Sequence, residues 1–225
     1  MEEYSLKYIK SKYILKLITE HLTKNKLFKI INYNKLIQNQ LDIGIFDYKN
    51  NYEQIEIELI PINIDDKNYF INDEYKSYYH IYFNNDKNEK KQNYFNKNDN
   101  VTKINIILNN KIQSFEALFS QCKCIEKIKF IKSKRTNISN VRGMFWGCSS
   151  LKELNLNNFN IINVTNMRWI FGGCSSLNEL NLNNFNINNV IDMYGMFSKC
   201  SDELKLKIKS KFKIFKEEAF EDFPF

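Results

Sequence analysis

Hydrophobic and polar positions between residues 112 and 200 repeat with a period of 26 residues. The segment 143–160 returns almost letter for letter as 169–186. The same spacing links four phenylalanines and four cysteines: Phe119, Phe145, Phe171, Phe197, Cys122, Cys148, Cys174 and Cys200. A fixed period of this length indicates a chain built from stacked copies of one structural unit.

Each copy begins with a pattern typical of a short strand. Leu154 and Leu156 alternate with the polar residues Glu153, Asn155 and Asn157. The leucines should therefore lie on one face of a strand and the polar residues on the other. In stacked copies, equivalent residues should form ladders across neighbouring strands.

A helical pattern follows the strand. Val164, Met167, Ile170 and Phe171 are spaced by three and four residues, which predicts one face of a short helix that ends at Gly172–Gly173. The sequence therefore predicts an α/β fold. We expect a short leucine-rich-type solenoid with parallel strands, preceded by a helical N-terminal unit and a small β-rich segment.

The repeat resembles the 26-residue leucine-rich repeats of the BspA-like family. That family has the pattern Met-Phe-x-Gly-Cys-Ser-Ser-Leu-x-x-Leu-x-Leu, followed by Asn-Val-Thr-x-Met. Cys148–Leu151 and Asn163–Met167 fit this pattern, and the resemblance covers about residues 112–200. It implies a solenoid used for protein recognition, often on bacterial cell surfaces and in many copies in microbial eukaryotes.

The polar face of the strands is the predicted partner-binding surface, because the regular face of a solenoid usually carries the contacts. It consists of Lys127, Lys129, Glu153, Asn155, Asn157, Glu179, Asn181 and Asn183. The function predicted from this surface is that of a non-enzymatic protein-binding module with an unidentified protein partner.

The hydrophobic pattern divides the chain into four parts. These are a helical N-terminal unit at 1–42, a β-rich segment at 43–110 that caps the solenoid, the repeats at 111–200 and a basic cap at 201–225. Within the second part, apolar and β-branched residues predict strands at 55–60, 78–83 and 103–108. The polar stretch 84–100 is expected to be an exposed loop.

The first part offers an alternative function. The order of Ile14, Ile18, Leu22 and Leu27 is similar to an F-box, although Lys10–Lys12 stands where the usual Leu-Pro would open that motif. An F-box is a helical hairpin that binds the Skp1 adaptor. The resemblance implies an F-box-type substrate receptor of a ubiquitin ligase with a Skp1-like adaptor as partner, and a simple packing unit is the competing interpretation.

The last part is predicted to be a capping helix. Ser201 is a good N-cap, and Leu204, Ile208 and Phe212 are spaced by four residues. Alternation of apolar residues with lysines also fits a strand, so that alternative stays open. The lysines at 205, 207, 209, 211, 213 and 216 give a third hypothesis, weak nucleic-acid binding.

Charge and composition limit the remaining functions. The formal net charge of +7 comes from 33 basic and 26 acidic residues, which are dispersed along the chain and therefore favour general solubility over a nucleic-acid face. The N-terminus lacks a continuous apolar core, and no apolar run approaches the ~20 residues of a membrane span. We therefore expect an intracellular, cytoplasmic protein without a membrane span.

No catalytic chemistry is predicted. The two histidines, His21 and His80, lie in no recognisable catalytic or metal motif. Four of the five cysteines recur once per repeat, and Cys122 and Cys124 are the only close pair. Zinc ligands instead come in pairs two to four residues apart, so we predict a buried ladder of thiols. The sequence predicts no enzyme activity, no cofactor and no metal site.

Overall fold

The structure is a computed structural model, and it describes residues 39, 54–109, 111–133, 137–183, 185 and 187–222. The chain divides into two compact units, Met1–Glu53 and Gln54–Phe225. The predicted helical unit at 1–42, with its F-box-like motif, lies outside the described residues apart from residue 39. The described residues other than residue 39 belong to the second unit.

A six-stranded mixed sheet runs through this unit, in the order β3-β5-β1-β6-β7-β8. Its strands are β1 (Ile55–Pro61), β3 (Tyr79–Phe83), β5 (Ile104–Leu108), β6 (Ile125–Lys132), β7 (Glu153–Asn155) and β8 (Glu179–Leu180). A second, two-stranded sheet pairs β2 (Lys67–Tyr69) with β4 (Tyr94–Asn96). Strand β4 lies within the stretch that was predicted to be an exposed loop.

Strands β1, β3 and β5 lie where the alternating pattern predicted strands. Every second residue of β1, beginning with Ile55, is buried, and the residues between are half-buried. β1 pairs antiparallel with β5 on one side and with β6 on the other. Because β6 belongs to the repeat region, residues 54–109 and the repeats share one sheet and one core.

Strands β6, β7 and β8 are parallel, and equivalent residues of successive repeats pair. Lys127 lies opposite Glu153, and Glu153 lies opposite Glu179. Leu154 and Leu180 are buried, whereas Glu153 and Glu179 are exposed. The strand of each repeat therefore has the apolar and polar faces that the sequence predicted.

The predicted α/β solenoid class is wrong, because the described residues form mainly a mixed sheet and contain only one α-helix of seven or more residues. The segment 164–173, predicted to be helical, forms successive turns. Alternate backbone N–H groups donate to the next repeat: Met167 to the Asp192 oxygen at 2.8 Å, Trp169 to that of Tyr194 at 3.1 Å and Phe171 to that of Met196 at 3.0 Å. These donors are used between repeats, so they cannot form the i to i−4 bonds of a helix.

Two left-handed backbone positions in each repeat turn the chain between these bonds. One occurs at Ala117, Gly143, Trp169 and Gly195, with φ between 54° and 59°. The other occurs at Gln121, Gly147, Gly173 and Lys199, with φ between 54° and 73°. An α-helix requires negative φ throughout, so these positions also exclude the predicted helix.

The core of the repeats consists of ladders of identical side chains. Phe119, Phe145, Phe171 and Phe197 stack in order with ring centroids 5.6–6.0 Å apart. The cysteines form a parallel ladder, and the thiols of Cys148, Cys174 and Cys200 each donate to the carbonyl of a phenylalanine one repeat earlier at 3.0–3.1 Å. The predicted burial of these cysteines is confirmed.

Both ends of the stacked turns are covered by other parts of the chain. At the first end, the Asn72 N–H donates to the Leu118 oxygen at 2.9 Å and the Tyr75 hydroxyl donates to the Glu116 oxygen at 2.8 Å. At the last end, the N–H groups of Gly195 and Phe197 donate to carbonyl oxygens of the 3-10 helix Glu217–Phe220. These four backbone groups of the end repeats are therefore satisfied without a further repeat.

The C-terminal region contains an α-helix, α1 (Asp202–Lys211). The Ser201 side chain accepts from the Leu204 N–H at 3.2 Å, and Leu204 and Ile208 are buried. The prediction of a helix here, with Ser201 as N-cap, is confirmed. Among the described residues, no helix has the length and apolar character needed to cross a membrane.

Candidate functional site

A groove with a volume of about 950 Å³ lies over the polar face of the repeat strands. Its floor comes from β6, β7 and β8, one wall comes from β1, and another comes from α1 and the residue that follows it. The parallel register of the strands places chemically equivalent side chains side by side along this floor.

Most of the predicted binding residues are brought together in the groove. Seven of the eight line it: Lys127, Lys129, Glu153, Asn155, Asn157, Glu179 and Asn181. The eighth, Asn183, is not among the lining residues, and its backbone N–H donates to the Asn181 side-chain oxygen at 3.0 Å. Asn183 therefore belongs to the turn that ends the strand.

The walls contain lining residues that the sequence did not assign to the site. Lys207, Ser210, Lys211 and Phe212 come from the C-terminal region, Glu58 and Ile60 from β1, and Lys152 from the turn before β7. The sequence assigned the basic stretch to a cap and to possible nucleic-acid binding, and not to this groove. A periodic pattern identifies equivalent residues within the repeats but does not show which non-repeat segment packs beside them.

The first row of charges across the floor runs through Lys127, Glu153 and Glu179. Lys127 Nζ lies 2.6 Å from Glu153 Oε1, and this hydrogen bond raises the pKa of the Lys127 ammonium. Glu153 and Glu179 are opposite each other on parallel strands. Like charges in this position repel, so the Lys127 pair offsets part of the repulsion.

The second row runs through Glu58, Lys129 and Asn155, which are paired across β1, β6 and β7. The Asn155 side-chain oxygen accepts from the Asn157 N–H at 3.0 Å, an Asx turn like the one between Asn181 and Asn183. The side-chain oxygens of Asn155 and Asn181 are thus engaged in turns, and their amide N–H groups are the donors that these residues can offer to a partner.

The lysines of the groove differ in their pairing. Lys127, Lys152 and Lys207 each have a carboxylate oxygen within 2.6–2.9 Å. Within the part of the chain that the structure describes, neither Lys129 nor Lys211 has a carboxylate within ion-pair distance, and Lys211 Nζ lies 5.3 Å from the centroid of the Phe212 ring. The groove therefore offers two ammonium groups and one aromatic ring for contact with a partner.

Among the described residues, the histidine and the cysteines lie outside this groove. His80 Nδ1 is 3.1 Å from Glu89 Oε1 at an exposed position. All five cysteines are buried, and burial raises the pKa of the Cys124, Cys148 and Cys200 thiols to about 12. Among the described residues, no three His, Cys, Asp or Glu side chains are grouped so that they could hold a metal ion.

A comparison with protein-family models finds similarity in the repeat region and the cap. Residues 113–219, slightly less than half of the chain, match the family described as "Mycoplasma protein of unknown function, DUF285". Comparison with the curated proteins and with the solved structures gave no match. The family description names no activity or partner.

Proposed function

We propose that the protein is a non-enzymatic protein-binding module and that its partner binds in the groove over the strand face. The observation that carries this proposal is the placement of seven predicted binding residues around one groove of about 950 Å³. The buried thiols and the exposed position of the His80–Glu89 pair also favour binding over catalysis.

The lining residues indicate how such a partner is held. The floor is polar and carries both charged and amide side chains, so the contacts there are ion pairs and hydrogen bonds, the latter including those to Asn155, Asn157 and Asn181. Phe212 at the wall is the aromatic residue available as an anchor. Interfaces with few aromatic anchors depend on a small number of strong contacts, so we expect modest affinity and strong dependence on Phe212.

Affinity purification of the full-length chain, followed by quantitative mass spectrometry, tests the proposal. The test variant carries Glu153→Lys and Glu179→Lys, which reverse the acidic part of the floor. The control carries Glu74→Lys and Glu221→Lys, two exposed acids that do not line the groove. Both variants change the net charge equally.

Proteins that bind in the groove should be captured by the wild type and by the control variant and lost with the Glu153/Glu179 variant. Circular dichroism should show that all three proteins are folded. Equal capture by both variants would contradict the proposal, because the floor of the groove would then contribute nothing to binding.

Two alternative functions have less support. The F-box-type receptor depends on residues 1–42, which lie outside the described residues apart from residue 39. For nucleic-acid binding, four of the six lysines in the basic stretch are paired with carboxylates, namely Lys205, Lys207, Lys209 and Lys216. Such pairing weakens the positive field that binds phosphates.

A further inference from the structure

A second feature of the repeats, which we name the Arg–Trp row, consists of Arg142, Trp169, Arg168 and Tyr194. The Cζ atoms of Arg142 and Arg168 lie 5.1 and 4.3 Å from the centroid of the Trp169 ring. Arg168 Cζ also lies 4.7 Å from the Tyr194 ring centroid. None of these four residues lines the groove.

Trp169 occupies a backbone conformation that disfavours a large side chain. Its φ is 55°, and the equivalent positions in the other repeats carry Ala117, Gly143 and Gly195. A bulky residue at positive φ is uncommon. Since the same turn forms with small residues, the fold does not require tryptophan here, and the strain indicates a role for the indole beyond folding.

The backbone of the next repeat leaves room for this indole. A Cβ placed on Gly195 would lie 2.5 Å from Trp169 Cδ1, so the ring occupies the space that a side chain would need. The indole is thereby held against the Gly195 backbone, with two guanidinium groups over the ring. An aromatic side chain fixed in this way loses little conformational freedom when it binds a partner.

The guanidinium groups are only loosely paired within the protein. Arg142 Nη1 is 3.4 Å from Glu116 Oε1, and Arg168 Nη1 is 3.6 Å from Asp192 Oδ2. Strong pairs of this kind measure roughly 2.7–2.9 Å. The Arg142 and Arg168 side chains are 43% and 34% exposed. Among the described residues, the buried Nε of Arg168 has no acceptor.

An exposed apolar ring lies beside the row. Trp146 is 45% exposed. A Cβ placed on Gly172 would lie 3.1 Å from Trp146 Cδ1 and 3.4 Å from the Trp169 carbonyl oxygen, which places the Trp146 ring beside the backbone turn that carries Trp169. The surface thus combines guanidinium donors with an apolar contact.

We infer that the Arg–Trp row, together with Trp146, is a second protein-binding surface whose partner is an acidic segment with a carboxylate beside an apolar side chain. Guanidinium groups match carboxylates in two-point hydrogen bonds, and Trp, Tyr and Arg are the residues that most often dominate interface energy. Guanidinium groups already cover the Trp169 ring, so it is a poor platform for stacked bases. This favours a protein partner over a nucleic acid.

Selection from a library of random peptides displayed on phage, with the full-length protein as target, tests this inference. Enriched peptides should carry Asp or Glu next to an apolar residue. Calorimetry should show that Arg168→Lys and Trp169→Gly each weaken their binding by at least about tenfold. The first removes a two-point hydrogen-bond donor, and the second removes the ring that positions both guanidinium groups. Lys129→Ser in the groove should leave their affinity unchanged.

The thermal midpoint distinguishes binding from a purely structural role. Trp169→Gly introduces the residue type present at 143 and 195, so the thermal midpoint should stay close to that of the wild type while peptide binding is weakened. The absence of enrichment, enrichment of peptides without carboxylates, or equal affinity for wild type and Arg168→Lys would overturn the inference. Loss of binding with Lys129→Ser would also overturn it, because the peptides would then occupy the groove.

Discussion

Phe197 and Phe220 stack with their ring centroids 5.2 Å apart, although 23 residues separate them instead of the 26 that separate the other stacked phenylalanines. The Phe197 N–H donates to the Ala219 oxygen at 2.8 Å. The C-terminal segment therefore supplies the ring and the hydrogen-bond acceptor that a further repeat would supply, without its sequence.

Phe220→Ala should destabilise the fold by about 3 kcal/mol, because it removes a buried ring from the end of the phenylalanine stack. Urea unfolding measures the change. Ile214→Ala is the matched control, since Ile214 is 53% exposed, and it should change the stability by less than about 0.5 kcal/mol. Equal effects of the two substitutions would contradict a stabilising role for the C-terminal stack.

Asp222 makes the stability that the C-terminal segment contributes dependent on pH. Its carboxylate accepts from the Lys199 N–H and pairs with Lys205 Nζ, both at 2.7 Å. The hydrogen bond from Lys199 and the nearby ammonium lower the pKa of Asp222. A carboxylate whose pKa is lower in the folded state stabilises the protein at pH values above its unfolded pKa of about 4. This stabilisation disappears as the pH falls through the pKa of the folded state.

Asp222→Asn should therefore reduce stability at pH 7 and have little effect at a pH below the folded pKa of Asp222. Urea unfolding of the wild type and the variant across this range measures the difference. If the difference in unfolding free energy between the wild type and the variant is the same at pH 7 and below the folded pKa, the charge of Asp222 does not stabilise the C-terminal segment.

The thiol ladder predicts slow chemical modification of the native protein. All five cysteines are buried, and burial raises the pKa of Cys148 to about 12. Since the thiolate is the reactive form, a disulfide reagent at pH 8 should modify the folded chain only as fast as it unfolds, and should modify all five cysteines in denaturant. Rapid labelling of a cysteine in the folded protein would contradict the buried ladder.

The N-cap of α1 positions one wall of the groove. The Ser201 hydroxyl accepts from the Leu204 N–H at 3.2 Å, so Ser201→Ala should cost about 1 kcal/mol of stability. Ser201→Thr keeps the acceptor and should retain most of it. If both substitutions cost the same, the hydroxyl does not cap the helix.

The period of 26 residues predicted the parallel pairing of Glu153 with Glu179 and the burial of the cysteines. These features depend on residue identity at equivalent positions, which a sequence shows directly. The same pattern suggested a helix at Val164–Phe171, and this was wrong. Apolar residues spaced by three and four fit both a helix face and a series of turns. The hydrogen bonds between repeats show that this segment forms turns.

The floor of the groove, but not its walls, could be predicted from the sequence in the same way. Its floor follows from strand alternation, whereas its walls depend on where β1 and α1 pack, and no period in the sequence specifies this. The Arg–Trp row was also missed, because Arg142 and Trp169 come together only when one repeat is stacked on the next.

Photo-crosslinking from inside the groove tests the central claim most directly. A photoreactive phenylalanine analogue would replace Asn155 on the floor of the groove, and, in a control, Lys87 in the exposed turn after β3. The account predicts that a protein captured by the wild type crosslinks from position 155 and not from position 87. Crosslinking from position 87 alone, or equally from both positions, would contradict binding in the groove.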